Sequence, residues 1–187
     1  MPTTTTKKVT GDSSIAQLAL AGSAKLDLTT ADLTVTGGAL AAINGLVATG
    51  RAGGTWDGIG INSSSLAADG AHKTLAVLPE GAGVKVKYTW AGDLTGDGAV
   101  NGAYYFVLDY GFLTGGTGTL YAQGNVNYTG GIDGDDYFVT DQAFLNQNAV
   151  LSVGSAAGAA VPEPSTLGVL AVGALGLLAR RRRSRKA

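Results

Sequence analysis

The chain has 187 residues and a formal net charge of −1, with 30 glycines, no cysteine, and twelve aspartates against two glutamates. The lack of cysteine excludes disulfides, thiolate metal sites and cysteine nucleophiles, and the glycine-rich composition favours turn-rich β-structure over a helical enzyme core. Residues 1–160 hold seven basic and thirteen acidic side chains, a net charge of −6, which argues against nucleic acid as a partner.

The first half of the chain reads as a small β-rich region. Residues 1–14 are polar and threonine-rich and are predicted to form a disordered N-terminus; they also lack the apolar segment of a secretory signal. Residues 15–91 are predicted to form a β-rich stem. Within it, the strict alternation of VKVKYTW (84–90) predicts a strand with Val84, Val86, Tyr88 and Trp90 on one side. The spacing of apolar residues in 39–49 predicts a short helix that Gly50 closes.

The second half contains an internal repeat. Residues 92–113, GDLTGDGAVNGAYYFVLDYGFL, recur without a gap as residues 124–145, GNVNYTGGIDGDDYFVTDQAFL, at a constant offset of 32. Each copy has a polar loop followed by an aromatic run at helical spacing. Self-similarity of this length predicts two copies of one structural unit.

Loop positions are counted from Asp93 in the first copy and from Asn125 in the second. Each loop places oxygen-bearing side chains at alternate positions, with a glycine (Gly98 or Gly130) at the sixth. Calcium takes six to eight hard oxygen ligands, and the glycine permits the sharp turn that such a loop needs. The candidate calcium ligands are Asp93, Asp97 and Asn101 in the first loop and Asn125, Asn127, Asp133 and Asp136 in the second. Tyr104 stands where the first loop should end in a carboxylate, whereas the second loop keeps Asp136 there.

On these residues, segment 92–147 resembles a dockerin domain, which pairs two calcium loop–helix repeats, each similar to an EF-hand without its first helix. The resemblance implies calcium as the cofactor, bound weakly and at no more than two sites, since each loop keeps only about two formal negative charges. The alternative is a loop–helix pair that is held together by its aromatic helix faces without metal.

The end of the chain has a three-part order. A linker, residues 148–161, precedes Pro-Glu-Pro, then an apolar run at 166–179 and a basic end at 180–186. As a helix the apolar run spans only about 21 Å of a bilayer core of about 30 Å. The adjoining arginines nevertheless favour a transmembrane helix with its basic end in the cytoplasm. The tail residues that carry this pattern are Pro162, Glu163, Pro164, Arg180, Arg181, Arg182 and Arg183.

Residues 162–187 resemble a PEP-CTERM sorting signal, found on exported proteins of Gram-negative bacteria. The resemblance implies processing by an exosortase near Pro162–Pro164, anchoring in the inner membrane before processing, and then a place at the cell surface or in the extracellular matrix. Residues 50–67 and the following strand resemble the segment before dockerin-like repeats in PEP-CTERM proteins of planctomycetes. There a long β-solenoid or autotransporter-like passenger commonly precedes it, so we expect this chain to be the C-terminal piece of a longer surface protein or the product of a reading frame with a late start.

No catalytic set stands out, since the one histidine, His72, lies in a turn-like stretch without a partner motif. We therefore predict a protein that is not an enzyme. The predicted fold is α+β: a stem that ends a β-solenoid-like region, a paired loop–helix module and a C-terminal transmembrane helix. The predicted function is that of an exported structural or interaction protein of the cell envelope. The alternatives are a docking module of a polysaccharide-degrading system, binding a cohesin-like partner or extracellular polysaccharide, and the C-terminal fragment of a glycoside-active enzyme.

Overall fold

The computed structural model of the protein describes residues 5–68 and 72–147. The chain divides into two compact units, Met1–Val150 and Leu151–Ala187. The first contains both sheets and helices, which confirms the predicted α+β class. None of its described helices is long and apolar enough to cross a membrane, and the predicted transmembrane helix at 166–179 lies outside the described residues.

The strands of the described part form two sheets. In chain order they are β1 (Thr6–Lys8), β2 (Ser13–Ile15), β3 (Lys25–Asp27), β4 (Leu33–Val35), β5 (Gly60–Asn62), β6 (Lys73–Glu80) and β7 (Gly83–Trp90). One sheet has the order β1-β3-β5 and is parallel throughout. The other has the order β2-β4-β7-β6, with β2 and β4 parallel and the two long strands antiparallel to their neighbours.

The first four strands alternate between the two sheets. Thr6 of β1 lies opposite Lys25 of β3, and Ser13 of β2 lies opposite Leu33 of β4, so each sheet gains a parallel strand after 19 or 20 residues. Stacked turns of this kind, each in contact with the next, are the way in which a β-solenoid is built. The β6–β7 hairpin then closes the second sheet with an antiparallel pair.

Helix α1 (Leu40–Arg51) covers β5, at the place where the sequence predicted a helix over 39–49. The prediction that Gly50 closes the helix is wrong, since Gly50 lies inside it and Ala52 takes the left-handed C-cap conformation with φ 47°. A Cβ atom on Gly50 would lie 1.8 Å from the carbonyl oxygen of Ile61. The glycine therefore serves the close approach of α1 to β5 rather than a turn.

Strand β7 departs from the predicted alternation at its end. Val84 and Val86 are buried as expected, but Tyr88 and Trp90 are only half-buried and Thr89 is buried between them. The reason is that the first repeat loop covers the other face of the sheet at this point, where the Thr89 hydroxyl donates to Asp93 Oδ2 at 2.5 Å.

The repeats continue from β7 as helices α2 (Gly102–Leu113) and α3 (Gly134–Gln147). The second loop and the spacer before it share a core with the stem, because Val126 and Tyr121 belong to the same buried cluster as Leu75 and Val86. A smaller cluster joins Val100, Tyr104 and Ala143. The predicted boundary between residues 91 and 92 thus falls within a continuous core.

Candidate functional site: the paired loops and their helices

The two repeat loops have the same backbone conformation. Three pairs of residues at the offset of 32 all take positive φ: Gly92 and Gly124 (97° and 106°), Gly96 and Tyr128 (77° and 59°), and Gly98 and Gly130 (89° and 65°). Left-handed conformations are costly for residues other than glycine, yet Tyr128 adopts one where the first copy has Gly96. The loop conformation is therefore maintained in both copies even though the side chains differ.

The helices of the two copies are joined by reciprocal hydrogen bonds. The Tyr105 hydroxyl donates to Asp141 Oδ1, and the Tyr137 hydroxyl donates to Asp109 Oδ1, both at 2.6 Å. Tyr105 and Tyr137 are repeat equivalents, and so are Asp109 and Asp141. Each copy thus gives the other the same contact, which describes a local two-fold relation between α2 and α3.

Aromatic rings repeat the same relation. Tyr105 meets Phe144 edge to face at 6.4 Å between ring centres, and Phe112 meets Tyr137 in the same way at 6.2 Å. The early part of each helix contacts the later part of the other, so α2 and α3 run antiparallel. Edge-to-face pairs add about 0.5–1.5 kcal/mol each beyond the area they bury.

In the first loop, Asp93 is fully buried and satisfied by the protein itself. Its Oδ1 accepts hydrogen bonds from the N–H groups of Thr95 (3.3 Å) and Gly96 (2.7 Å). Its Oδ2 accepts from Gly98 N–H (2.9 Å) and from the hydroxyl of Thr89. The Asp93 carboxylate therefore links backbone N–H groups of the first loop to one another and attaches this loop to strand β7.

Tyr104 occupies the interior of the same loop. Its ring is buried, and its hydroxyl contacts Thr95 Oγ1 and donates to Asp97 Oδ2 at 3.2 Å. Burial raises the pKa of Tyr104, so this hydroxyl stays protonated as a donor. Thr95 and Asp97 are the third and fifth loop positions, and the phenol contacts both of them. The residues present in the first loop therefore do not fit a calcium ion.

The second loop has a different interior. Asp136 is fully buried, and its carboxylate accepts hydrogen bonds from the N–H groups of Asn127 and Asp133, both at 3.0 Å. Asn125 is buried too; its Nδ2 donates to Gly130 O at 3.1 Å, while its Oδ1 has no hydrogen-bond partner among the described residues. Burial raises the pKa of Asp136. An orphaned amide oxygen and a desolvated carboxylate in one loop fit a calcium ion.

The other predicted ligands have local structural roles. Asn101 Oδ1 caps α2 by accepting from Ala103 N–H, and Asp133 Oδ1 accepts from Asp135 N–H at the matching position of α3, both at 2.9 Å. Asn127 Oδ1 accepts from the N–H and the hydroxyl of Thr129. Within the described ranges, no group of three or more acidic or histidine side chains could hold a metal. A calcium ion here would depend largely on amide, hydroxyl and backbone oxygens.

Tyr121 joins both loops to the stem and was missed in the sequence. Its ring is fully buried and stacks on Tyr128 at 5.5 Å, and its hydroxyl accepts from Gly92 N–H at 3.0 Å. Its own N–H donates to Asn44 Oδ1 of α1 at 3.0 Å. Tyr121 lies in the spacer between the two copies, where the repeat comparison gives no signal.

We expect the Tyr137–Asp109 bond to make stability depend on alkaline pH. Burial, followed by the hydrogen bond to Asp109, raises the pKa of Tyr137 to about 12, against about 10 in an unfolded chain. A raised pKa gives stability that is complete below pH about 10 and is lost as the pH rises through 12. Tyr137→Phe should lower the free energy of unfolding at neutral pH by about 0.5–1.5 kcal/mol.

Chemical denaturation from neutral to alkaline pH measures both effects. The curve for Tyr137→Phe should be flatter than that of the wild type over the alkaline range. The matched control is Tyr110→Phe, which alters an exposed tyrosine on α2. Equal alkaline slopes for Tyr137→Phe and the wild type would contradict the assignment.

Comparison with known proteins finds a match in the C-terminal tail. No curated protein and no solved structure matches the chain. Residues 160–183 match the family model of the PEP-CTERM protein-sorting motif, and this stretch holds all the predicted processing residues. The chain therefore carries a PEP-CTERM sorting motif, the signal of an exported protein that is anchored in the membrane before an exosortase processes it.

Proposed function

We propose that this protein is a non-catalytic structural or interaction protein of the cell envelope, with a dockerin-like module in which only the second loop binds calcium. The sorting motif supports export and membrane anchoring before processing. The observation that carries the calcium assignment is Asn125 Oδ1, which is buried in the second loop without a hydrogen-bond partner in the described structure. A cation would satisfy this oxygen and offset the desolvation of Asp136.

The chemistry of the second loop sets the strength of binding. Asn125, Asn127, Asp133 and Asp136 would hold the ion, and only the two aspartates bring formal charge. Loops with few charged ligands lie at the weak end of the range, about 10⁻⁴–10⁻³ M, which is typical of extracellular modules. Calcium at such a site fastens the loop to the start of α3.

The first loop has a packing role in this proposal. Asp93 is satisfied by N–H groups and a hydroxyl, and the Tyr104 phenol contacts the side chains that an ion would need. The reciprocal Tyr–Asp bonds support the resemblance to a duplicated dockerin module, since they relate the two copies by a local two-fold. The alternating parallel strands support a stem of the β-solenoid kind. A cohesin-like partner, extracellular polysaccharide and the planctomycete-type origin stay predictions.

Calorimetric titration of the full chain in detergent tests the calcium assignment. We expect one weak site, and a stabilisation of about 1–3 kcal/mol at about 10 mM calcium. Asp136→Ala should abolish the calcium-dependent rise in Tm, because it removes the carboxylate that closes the second loop. Asp97→Ala, which removes a carboxylate from the first loop instead, should leave that rise intact.

Two results would overturn this assignment. One is the absence of both heat and thermal shift at that calcium concentration, which would leave a metal-free pair of loops. The other is a calcium response that Asp97→Ala removes and Asp136→Ala keeps, since the ion would then lie in the first loop.

A further inference from the structure

Helices α2 and α3 present a large apolar surface to solvent. Phe106, Tyr110 and Leu113 lie at i, i+4 and i+7 on α2, which is the spacing of one helix face, and they are 65–81% exposed. On α3, Phe138 and Leu145 are the repeat equivalents of Phe106 and Leu113 and are each more than 60% exposed. We call these five side chains the apolar helix face.

The module does not need this face for its own packing. The buried side of α2 is made of Tyr104, Leu108 and Gly111, and the contact with α3 uses Tyr105 and Phe112. Contiguous exposed apolar patches of this kind mark sites that bind a protein or a membrane. The recurrence of the same residue types in both copies makes the face a feature of the paired module.

The length of chain between this face and the tail points to the occupant. Helix α3 ends at Gln147, and the apolar run of the sorting tail begins at Thr166. The eighteen residues between them could span no more than about 65 Å even when fully extended. While the protein is anchored through this tail, the end of α3 stays within that distance of the bilayer.

The charges around the apolar helix face indicate which kind of surface it would bind. The sequence has no lysine or arginine between Tyr88 and Ala179, and the helices carry only acidic charges, such as Asp109 and Asp141. Basic side chains are the usual means of attraction to anionic lipid head groups, and the apolar helix face has none. Tyrosine is enriched at membrane–water interfaces, where its ring lies at the level of the head groups. A face of phenylalanine, tyrosine and leucine without basic residues therefore suits shallow insertion into a neutral interface rather than an anionic one.

We propose that the apolar helix face rests in the interfacial layer of a zwitterionic lipid bilayer while the chain is held there by its tail. This contact holds the folded body at the membrane until the tail is processed. The contact does not depend on calcium, because the face is formed by the helices and not by the second loop.

The full chain offers clean probes because it has no cysteine. Two single-cysteine variants, Leu113→Cys and Thr10→Cys, are each labelled with bimane. Each labelled chain is then reconstituted into phosphatidylcholine vesicles that contain brominated phosphatidylcholine, which quenches a label that lies in the bilayer. Thr10 is exposed and lies between β1 and β2, so it controls for anchoring by the tail alone. We expect the bromolipid to quench the label at position 113 and to leave the label at position 10 unquenched, with calcium or with EDTA.

A second variant tests whether the quenching depends on the apolar side chains themselves or only on their nearness to the bilayer. Phe106→Gln, Phe138→Gln and Leu145→Gln alter exposed side chains, so the labelled Leu113→Cys chain that carries them should keep its Tm and lose its quenching. Replacing part of the neutral lipid with phosphatidylglycerol at low salt should weaken the quenching in the parent chain, because the body is acidic.

Several outcomes would overturn the proposal. They are equal quenching at positions 10 and 113, quenching that survives the triple substitution, and quenching that grows with anionic lipid. A label at position 113 that already reports an apolar surrounding without lipid, and loses it on dilution, would assign the face to a second copy of the chain instead. A calcium titration that fails leaves this proposal intact, because the quenching is measured in EDTA as well.

Discussion

Replacing Tyr121 with alanine is expected to lower the free energy of unfolding by about 3–5 kcal/mol, as large aromatic-to-alanine changes in a core do. Tyr121 is fully buried and stacks on Tyr128 of the second loop. Its hydroxyl holds Gly92 at the start of the first loop, and burial raises its pKa far above the ordinary value, so it stays protonated. The substitution would open a cavity where both loops meet the stem.

Denaturation followed by far-ultraviolet circular dichroism and by tyrosine fluorescence measures this effect. Tyr121→Phe is the matched control, since it keeps the ring and removes only the hydroxyl, which accepts from Gly92 N–H and donates to Trp90 O, at a cost of about 1–3 kcal/mol. Both probes should shift together, because Leu75 and Val86 of the stem share the core with Tyr121. A variant in which the stem unfolds as in the wild type while the repeats melt earlier would show two independent domains.

Replacing Tyr104 with aspartate is expected to make the first loop dependent on calcium. Without calcium, Tyr104→Asp loses a buried ring that packs with Val100 and Ala143. It also adds a third carboxylate near Asp93 and Asp97. We expect a loss of about 3–5 kcal/mol from the ring alone, deepened by repulsion between like charges. With calcium, the new carboxylate closes the loop at the position where the second copy has Asp136.

Calorimetry and thermal melts with and without calcium test this change. The number of calcium ions bound should rise from one to two, and much of the lost stability should return through ligand binding. Tyr104→Phe is the control: it loses the hydroxyl bonds to Thr95 and Asp97 and should show no new response to calcium. A Tyr104→Asp chain that stays destabilised in saturating calcium would show that the first loop cannot take an ion.

The repeat shows how far sequence reasoning reaches here. The offset of 32 residues was readable because the two copies share residues at matching positions. The glycines at loop position six were readable because a sharp turn needs left-handed backbone conformation, and the structure has positive φ at both Gly98 and Gly130. What could not be read was the conformation of the Tyr104 side chain. The sequence shows that a carboxylate is missing, but only packing shows that the phenol turns into the loop and donates to Asp97.

The strands show the same division. Alternation predicted β7, and Val84 and Val86 are indeed buried. An alternating pattern predicts burial on one face of a sheet only. It therefore missed the burial of Thr89, which lies on the other face, where the first repeat loop covers the end of β7. The pairing of β1 with β3 and of β2 with β4 joins residues 19 or 20 apart, and no local pattern in such short strands indicates it.

The sequence was enough to predict the α+β class, a helix over 39–49, the repeated segment and the sorting motif, because short-range periodicity, turn chemistry and the order of motifs encode them. The folded structure was needed to see that the Tyr104 phenol turns into its loop, that α2 and α3 exchange Tyr–Asp bonds, and that Tyr121 contacts both loops and the stem. These features depend on contacts between residues far apart in the chain, such as Tyr121 with Asn44. The physical reason is that local preferences act within a few residues, whereas burial and hydrogen bonding across elements are settled when the whole core packs.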